Sequence, residues 1–358
     1  MLNLYERIFR LTNYKLYHSS YKQNCDEVWA VLKQFKIQCR LIFLNNLRTL
    51  KIETANIEEL SELEEALASY NVDMNTIYLL QSNNEDLDYS EETNHELFHT
   101  SSSKKNKPIG IMNDGIGENL TEGITEYLNL RSKKKKISKS NYQRELFVIE
   151  MLIKIYGEKI LEPYFLNNGK KFFNQFIPYS EDVKEIDILL EKLRENEQLQ
   201  RIRLEYLTLS DIAPNILPDD IEILSSFHLT KQTKYTIDFL FQKYEKYLVE
   251  KIIEYESKHT IDIYYHQYQQ EKKQIIYKDY IETYSQTQIT IFKEILNKII
   301  NLAQSKGLNT ADINNLINES LSYKNNELKQ FITNIIQENL IFQIKKRRVY
   351  EKNISTTK

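Results

Sequence analysis

The sequence predicts an α+β chain in two parts. Residues 1–178 should form a domain with a small sheet and an H-E-x-x-H helix, and residues 179–358 a mainly α-helical, bundle-like region. Three observations carry this prediction. Arg48-Thr49-Leu50-Lys51-Ile52-Glu53-Thr54 alternates apolar and polar side chains, as a half-buried strand does. Around it, apolar residues recur at helical spacing, as in Asp26–Phe35, which opens on an acid. Beyond residue 178 there is a stretch, from Pro218 to Gly307, with no glycine or proline between its ends.

Taken in order, residues 1 to about 52 read as mixed structure, and Asn56 to Ala68 as an acidic helix. Asn75-Thr76-Ile77-Tyr78-Leu79-Leu80 is a short β run, expected as an edge strand beside a cleft. A polar segment, Ser82 to Asp88, leads into the helix that carries His95, with Asp88 or Ser90 as its N-cap. A loop follows His99, and four of the seven glycines (Gly110, Gly115, Gly117 and Gly123) fall within it or just past it. The next helix starts near Asn119. It carries Leu120, Ile124, Tyr127 and Leu128, and sets Glu118, Glu122 and Glu126 at successive i,i+4 positions. Three like charges on one stripe repel unless a cation lies against them. Lys133 to Lys136 reads as a solvated loop. Tyr142 to Gln175 is again helical, interrupted by Gly157, Pro163 and Gly169.

In the C-terminal part, one apolar series runs Ile237, Leu240, Phe241, Tyr244, Leu248, Ile252 and Tyr255. A second runs Ile281, Tyr284, Ile291, Ile295, Ile299 and Leu302, and Leu308–Leu321 and Leu328–Ile344 continue the pattern. Such helices pack as antiparallel hairpins or a bundle.

Composition narrows the function classes. Apolar residues make up 41% and charged residues 28% of 358, the balance of a folded globular chain. Lysine and arginine number 48 against 51 acids, a net charge of -3, so no global charge favours nucleic acid or an anionic membrane. Lys345-Lys346-Arg347-Arg348 is too short to change that. No apolar run is long enough to span a bilayer, and Met1–Arg10 lacks the zones of a signal peptide, so a cytoplasmic location is expected. Cys25 and Cys39 are too few for a disulfide framework or a thiolate zinc site.

The chemistry-bearing stretch is His95-Glu96-Leu97-Phe98-His99. Residues four apart share a helix face, so both imidazoles can reach one point. Glu96 projects beside that point, where a carboxylate could take a proton from a metal-activated water. A zinc ion held this way needs a third protein ligand. Glu122 on the following helix can supply it, with Glu126 on the same face free to hold a ligand imidazole in its tautomer. His18, His228, His259 and His266 have no motif around them.

With Thr121-Glu122-Gly123-Ile124-Thr125-Glu126 downstream, this stretch resembles the gluzincin zinc metallopeptidases. In thermolysin-like members H-E-x-x-H is followed by N-E-x-x-S-D on a second helix. The wording is also similar to gluzincin-like proteins of low-GC bacteria. The resemblance covers about residues 75–130. It implies a zincin-like domain in which His95, His99 and Glu122 bind zinc, Glu96 is the general base, and Glu126 orients His95. Thr121 stands where the family has asparagine, and Thr125 where it has serine. No motif matches the family's tyrosine and distant histidine that stabilise the oxyanion; Tyr142, at the start of the next helix, is the candidate for that role. The expected substrate is a peptide or protein. The alternative reading is a catalytically inactive zinc-binding module or a helical scaffold.

Overall fold

The structure is a computed structural model that describes residues 4–55, 67–80, 89–133, 142–212, 287–321, 329, 332 and 333. Its described residues are mostly helical, with one three-stranded sheet, so the general α+β expectation holds.

The first 50 residues are more helical than the sequence suggested. Helices α1 (Leu4–Thr12), α2 (Tyr14–Tyr17), α3 (Lys22–Leu32) and α4 (Ile37–Leu47) precede strand β1 (Lys51–Ala55). Each longer helix buries one stripe. Tyr5 and Phe9 do so in α1, Cys25, Val28, Trp29 and Leu32 in α3, and Cys39, Phe43 and Leu47 in α4, all at i,i+3 or i,i+4 spacing. Tyr5 stacks on Trp29 at 4.4 Å between ring centroids. The Asn13 amide donates to Leu47 O and Leu50 O at 2.9 Å each, satisfying a carbonyl at the end of α4 that has no partner within the helix and one just before β1.

Strands β2 (Ala68–Asn71) and β3 (Thr76–Leu80) complete a sheet in the order β1-β3-β2. The β1–β3 pair is parallel, Lys51 opposite Thr76, and the β2–β3 pair antiparallel, Ala68 opposite Leu79. The expected edge strand at Asn75–Leu80 is therefore the central one. Ile77 and Leu79 are fully buried, and a strand this apolar gains most where both its edges are paired. The edge beside the motif helix is instead β2, whose Ala68-Ser69-Tyr70-Asn71 is too short and polar to have stood out. The acidic helix expected at 56–68 lies outside the described residues except at its end, where Ala68 begins β2.

Helix α5 (Ser90–Ser101) carries the motif, α6 (Glu118–Lys133) packs beside it, and α7 (Gln143–Tyr156) packs against α6. Ser90 is the first residue of α5 rather than its cap, and Tyr89 holds the cap position without a side-chain hydrogen bond. Every residue of α5 from Thr93 to Ser101 is buried, although several are polar. Most polar groups buried in this way are hydrogen-bonded, and α4 supplies one set of partners. The Asn46 amide donates to Thr100 O at 2.7 Å and Ser103 O at 3.1 Å. Lys133, expected in a solvated loop, is nearly covered and donates to Ser90 O at 2.8 Å and Ser90 Oγ at 2.6 Å, tying the end of α6 to the start of α5.

Two short helices, α8 (Glu162–Phe165) and α9 (Gly169–Phe173), lead to the long α10 (Ser180–Ile212). A helix over 287–305, here α11, and α12 (Thr310–Leu321) follow. Phe292, Ile295, Ile299 and Leu302 of α11 and Ile313 and Ile317 of α12 belong to the same continuous core as Phe147 and Met151 of α7. The apolar series from Ile237 to Tyr255 lies outside the described residues. No helix among the described residues is long and apolar enough to cross a membrane.

Candidate metal centre

Helices α5 and α6 lie against each other, and their facing turns bring five polar side chains together. His95, Glu96 and His99 each offer a ligand-type atom within 4.8 Å of the others, a group that could hold a metal ion. Glu122 of α6 comes closer to both imidazoles than that limit. His95 Nε2 lies 3.2 Å from His99 Nε2 and 3.2 Å from Glu122 Oε2, and His99 Nε2 lies 3.4 Å from Glu122 Oε1. Bond lengths of about 2.0–2.2 Å around tetrahedral zinc put neighbouring ligand atoms about 3.3–3.5 Å apart. The three separations found here, two of which reach different oxygens of the Glu122 carboxylate, are close in length to those edges.

The far side of each imidazole is also held from α6. His95 Nδ1 faces Glu126 Oε2 at 3.1 Å, and the same oxygen accepts from the Asn129 amide at 3.3 Å. Asn94 donates in turn to Asn129 Oδ1 at 2.9 Å. His99 Nδ1 faces Thr125 Oγ1 at 3.4 Å. The Thr125 hydroxyl donates to Thr121 O at 2.8 Å, which leaves its oxygen to accept from His99 and from Tyr164 OH, 2.8 Å away. Acceptors at both Nδ1 atoms favour the Nδ1–H tautomer and leave the Nε2 lone pairs for a metal.

Thr121, at the position of the family's asparagine, directs its hydroxyl away from the second histidine. Its hydroxyl accepts from Ile111 N at 3.3 Å, in the loop packed against α6. Thr125 supports His99 instead, because it lies one turn further along the helix, level with His99. Tyr142 is brought into the centre. Its ring lies nearly parallel to that of His95, 5.4 Å between centroids and 13° between planes.

Electrostatics follow from this crowding. Burial alone would lower the His95 pKa, but the Glu122 and Glu126 hydrogen bonds and the nearby Glu96 outweigh it and hold the imidazole well above its ordinary value. Burial likewise works to raise Glu122, and the positive charges of His99 and His95 hold it well below the usual carboxylate range. In the metal-free protein a proton on His95 thus offsets part of the carboxylate charge, and a metal ion would displace it. Glu96 is pushed up by burial, partly offset by the histidines and by a hydrogen bond from the Tyr70 backbone in β2. The charge of Glu122, and then burial, push the Tyr142 phenol well above its usual value, so it remains a donor.

No protein-family model, curated protein or solved structure matches this chain. What the centre can do is therefore read from its own atoms.

The helix that carries Glu122 is anchored at its start from α10. Asp187 accepts from Gly117 N at 2.6 Å and Leu120 N at 2.9 Å, filling the N-terminal donors that a helix leaves unpaired. Gly123 lets α6 approach α7, since a Cβ there would lie 2.8 Å from the Glu145 carbonyl. Nothing in the sequence singles out Asp187, Tyr164 or Arg194. Thr125 is legible only as the residue that stands where the resemblance has serine.

Proposed function

We propose that this chain is a zinc-dependent metallopeptidase with a zincin-like N-terminal domain. One observation carries the reading: two Nε2 atoms and a carboxylate converge at 3.2–3.4 Å while both Nδ1 atoms are held by α6. A largely buried trio of this kind suits a catalytic zinc, which keeps a fourth position for water, better than a structural one, which closes all four positions with protein. His95, His99 and Glu122 would hold the ion, which when bound supplies Lewis acidity toward a water and a carbonyl oxygen. Glu96, adjacent to the trio and fixed by β2, would take the water's proton on its carboxylate and return it to the leaving amine. The Tyr142 phenol would donate a hydrogen bond to the developing oxyanion of the substrate.

The test compares metal content and hydrolysis of a peptide library in four proteins. Wild type, Glu96→Gln and Tyr142→Phe should each retain one zinc by elemental analysis, and His99→Ala should lose it. Glu96→Gln should lower kcat by about 10²–10⁴-fold, the usual contribution of a general base, and Tyr142→Phe by about 10²–10³-fold. Glu96→Gln protein that hydrolyses peptides at the wild-type rate refutes the assignment. Zinc retained by a wild type that cleaves no peptide would make the centre a metal-binding module instead.

A further inference from the structure

Arg194 of α10 lies on the far side of Tyr142 in the chain of contacts that starts at His95. Its guanidinium carbon sits 5.7 Å from the Tyr142 ring centroid, and Tyr142 in turn stacks on His95. The two ring distances keep the guanidinium within about 11 Å of the His95 imidazole, a span that three or so residues of extended chain cover at about 3.3–3.6 Å each. The Arg194 side chain is 19% exposed. Its one hydrogen bond among the described residues runs from Nη2 to Glu145 Oε1, a single 3.3 Å contact. A guanidinium presents five donors in a planar fork suited to a carboxylate, so among the described residues most of this fork is uncommitted.

The surroundings select the ligand's charge. Among the described residues near it, Glu96, Glu122, Glu126 and Glu145 are carboxylates with histidine or arginine partners. Arg194 is the guanidinium set among them, close enough for Glu122, Glu145 and Glu191 to act on it. A neutral or cationic chain end gains nothing from Arg194, whereas a carboxylate gains a charge-assisted, potentially bidentate hydrogen bond.

We propose that Arg194 forms a carboxylate-recognition subsite next to the metal centre, so that the chain selects peptides with a free C-terminal carboxylate or an acidic side chain near the bond it acts on. This rests on the peptidase reading for the identity of the ligand, so its test uses binding without turnover. Zinc-loaded Glu96→Gln protein is titrated with three short peptides by calorimetry. The first has neutral side chains and a free C-terminal carboxylate, the second is the same peptide as its amide, and the third is an amide with a C-terminal glutamate. At least one carboxylate peptide should bind about tenfold or more tightly than the neutral amide, the worth of one charge-assisted hydrogen bond. Which of them does so distinguishes a chain end from a side chain. Adding Arg194→Ala should bring the peptides within about twofold of one another, and Arg194→Lys should retain part of the difference. Arg194→Gln replaces the alanine variant if that one does not fold. Equal binding of all three peptides overturns the proposal. So does a preference that survives loss of Arg194, which would trace to carboxylate bound at the zinc itself. Neither result bears on whether wild type hydrolyses peptides, and failure of hydrolysis leaves the binding comparison intact.

Discussion

Glu126→Gln separates the support of a ligand from the ligand itself. The Glu126 carboxylate holds His95 Nδ1 at 3.1 Å and receives the Asn129 amide on the same oxygen. Glutamine keeps the size and can still accept at one atom, but the charge is gone. A charge-assisted bond contributes about twice what a neutral one does, a difference of roughly 1–1.5 kcal/mol on the usual net scale. The glutamine must also present its oxygen to both donors, with its NH2 turned elsewhere among buried groups. The expected loss in zinc affinity is about 10–100-fold, as for other partners of metal-bound histidines, or about 1.4–2.7 kcal/mol. Competition against a chromophoric chelator measures the dissociation constant, and near-UV circular dichroism checks that the fold is kept. At equal free zinc the stabilisation by metal should fall by the same amount in thermal melts. A folded Glu126→Gln protein that binds zinc within twofold of wild type would refute the coupling of Glu126 to the centre. Glu96→Gln is the control, since Glu96 is not expected to hold the ion.

Three other outcomes follow from the packing. Asp187→Ala removes the acceptor of two buried N–H groups at the start of α6, and should cost about 2–4 kcal/mol in urea unfolding from the lost cap and the orphaned donors; a cost below 0.5 kcal/mol, within the usual spread for surface changes, would show that α6 is not anchored there. Gly123→Ala places a methyl 2.8 Å from the Glu145 backbone, where overpacking costs about 1–3 kcal/mol against about 1 kcal/mol gained in helix propensity; lower stability together with weaker zinc binding is expected, and a more stable variant with unchanged zinc affinity would show that α7 yields. Cys25 and Cys39 are fully buried, and burial pushes both thiols up. A pKa raised by folding gives a contribution to stability that is complete below the unfolded thiol value and lost as pH rises through the folded one. Both thiols should therefore resist alkylation in native protein up to about pH 9, near that unfolded value, and react in denaturant; rapid native labelling would contradict their burial.

Much of the centre was legible because its spacing is local. His95 and His99 lie one turn of helix apart, and so do Glu122 and Glu126, so helical periodicity alone puts each pair on one face, with Glu96 beside the first. The start of α6 near Asn119 and the breaks at Gly157, Pro163 and Gly169 were readable for the same reason. Strand order was not. Asn75–Leu80 reads as a strand from its own residues, but whether it lies at an edge or the centre depends on a partner, Ala68–Asn71, that is too short to announce itself. Lys133 looked solvated because a run of lysines usually is, and only the approach of Ser90 on α5 buries it.

The sequence by itself determined which residues could ligate a metal, which carboxylate stands beside them, and that the chain mixes helices with a little sheet. Each of these is a matter of neighbours within a few positions. Only the tertiary structure decided that the two helices meet with Nε2 and carboxylate oxygens 3.2–3.4 Å apart, and that Thr125 rather than Thr121 backs His99. It also decided that Asp187 and Arg194 meet Gly117, Leu120 and Tyr142, which lie far from them along the chain. Side chains that meet across packed helices are brought together by burial of the apolar faces behind them, and no local spacing in the chain records which will face which.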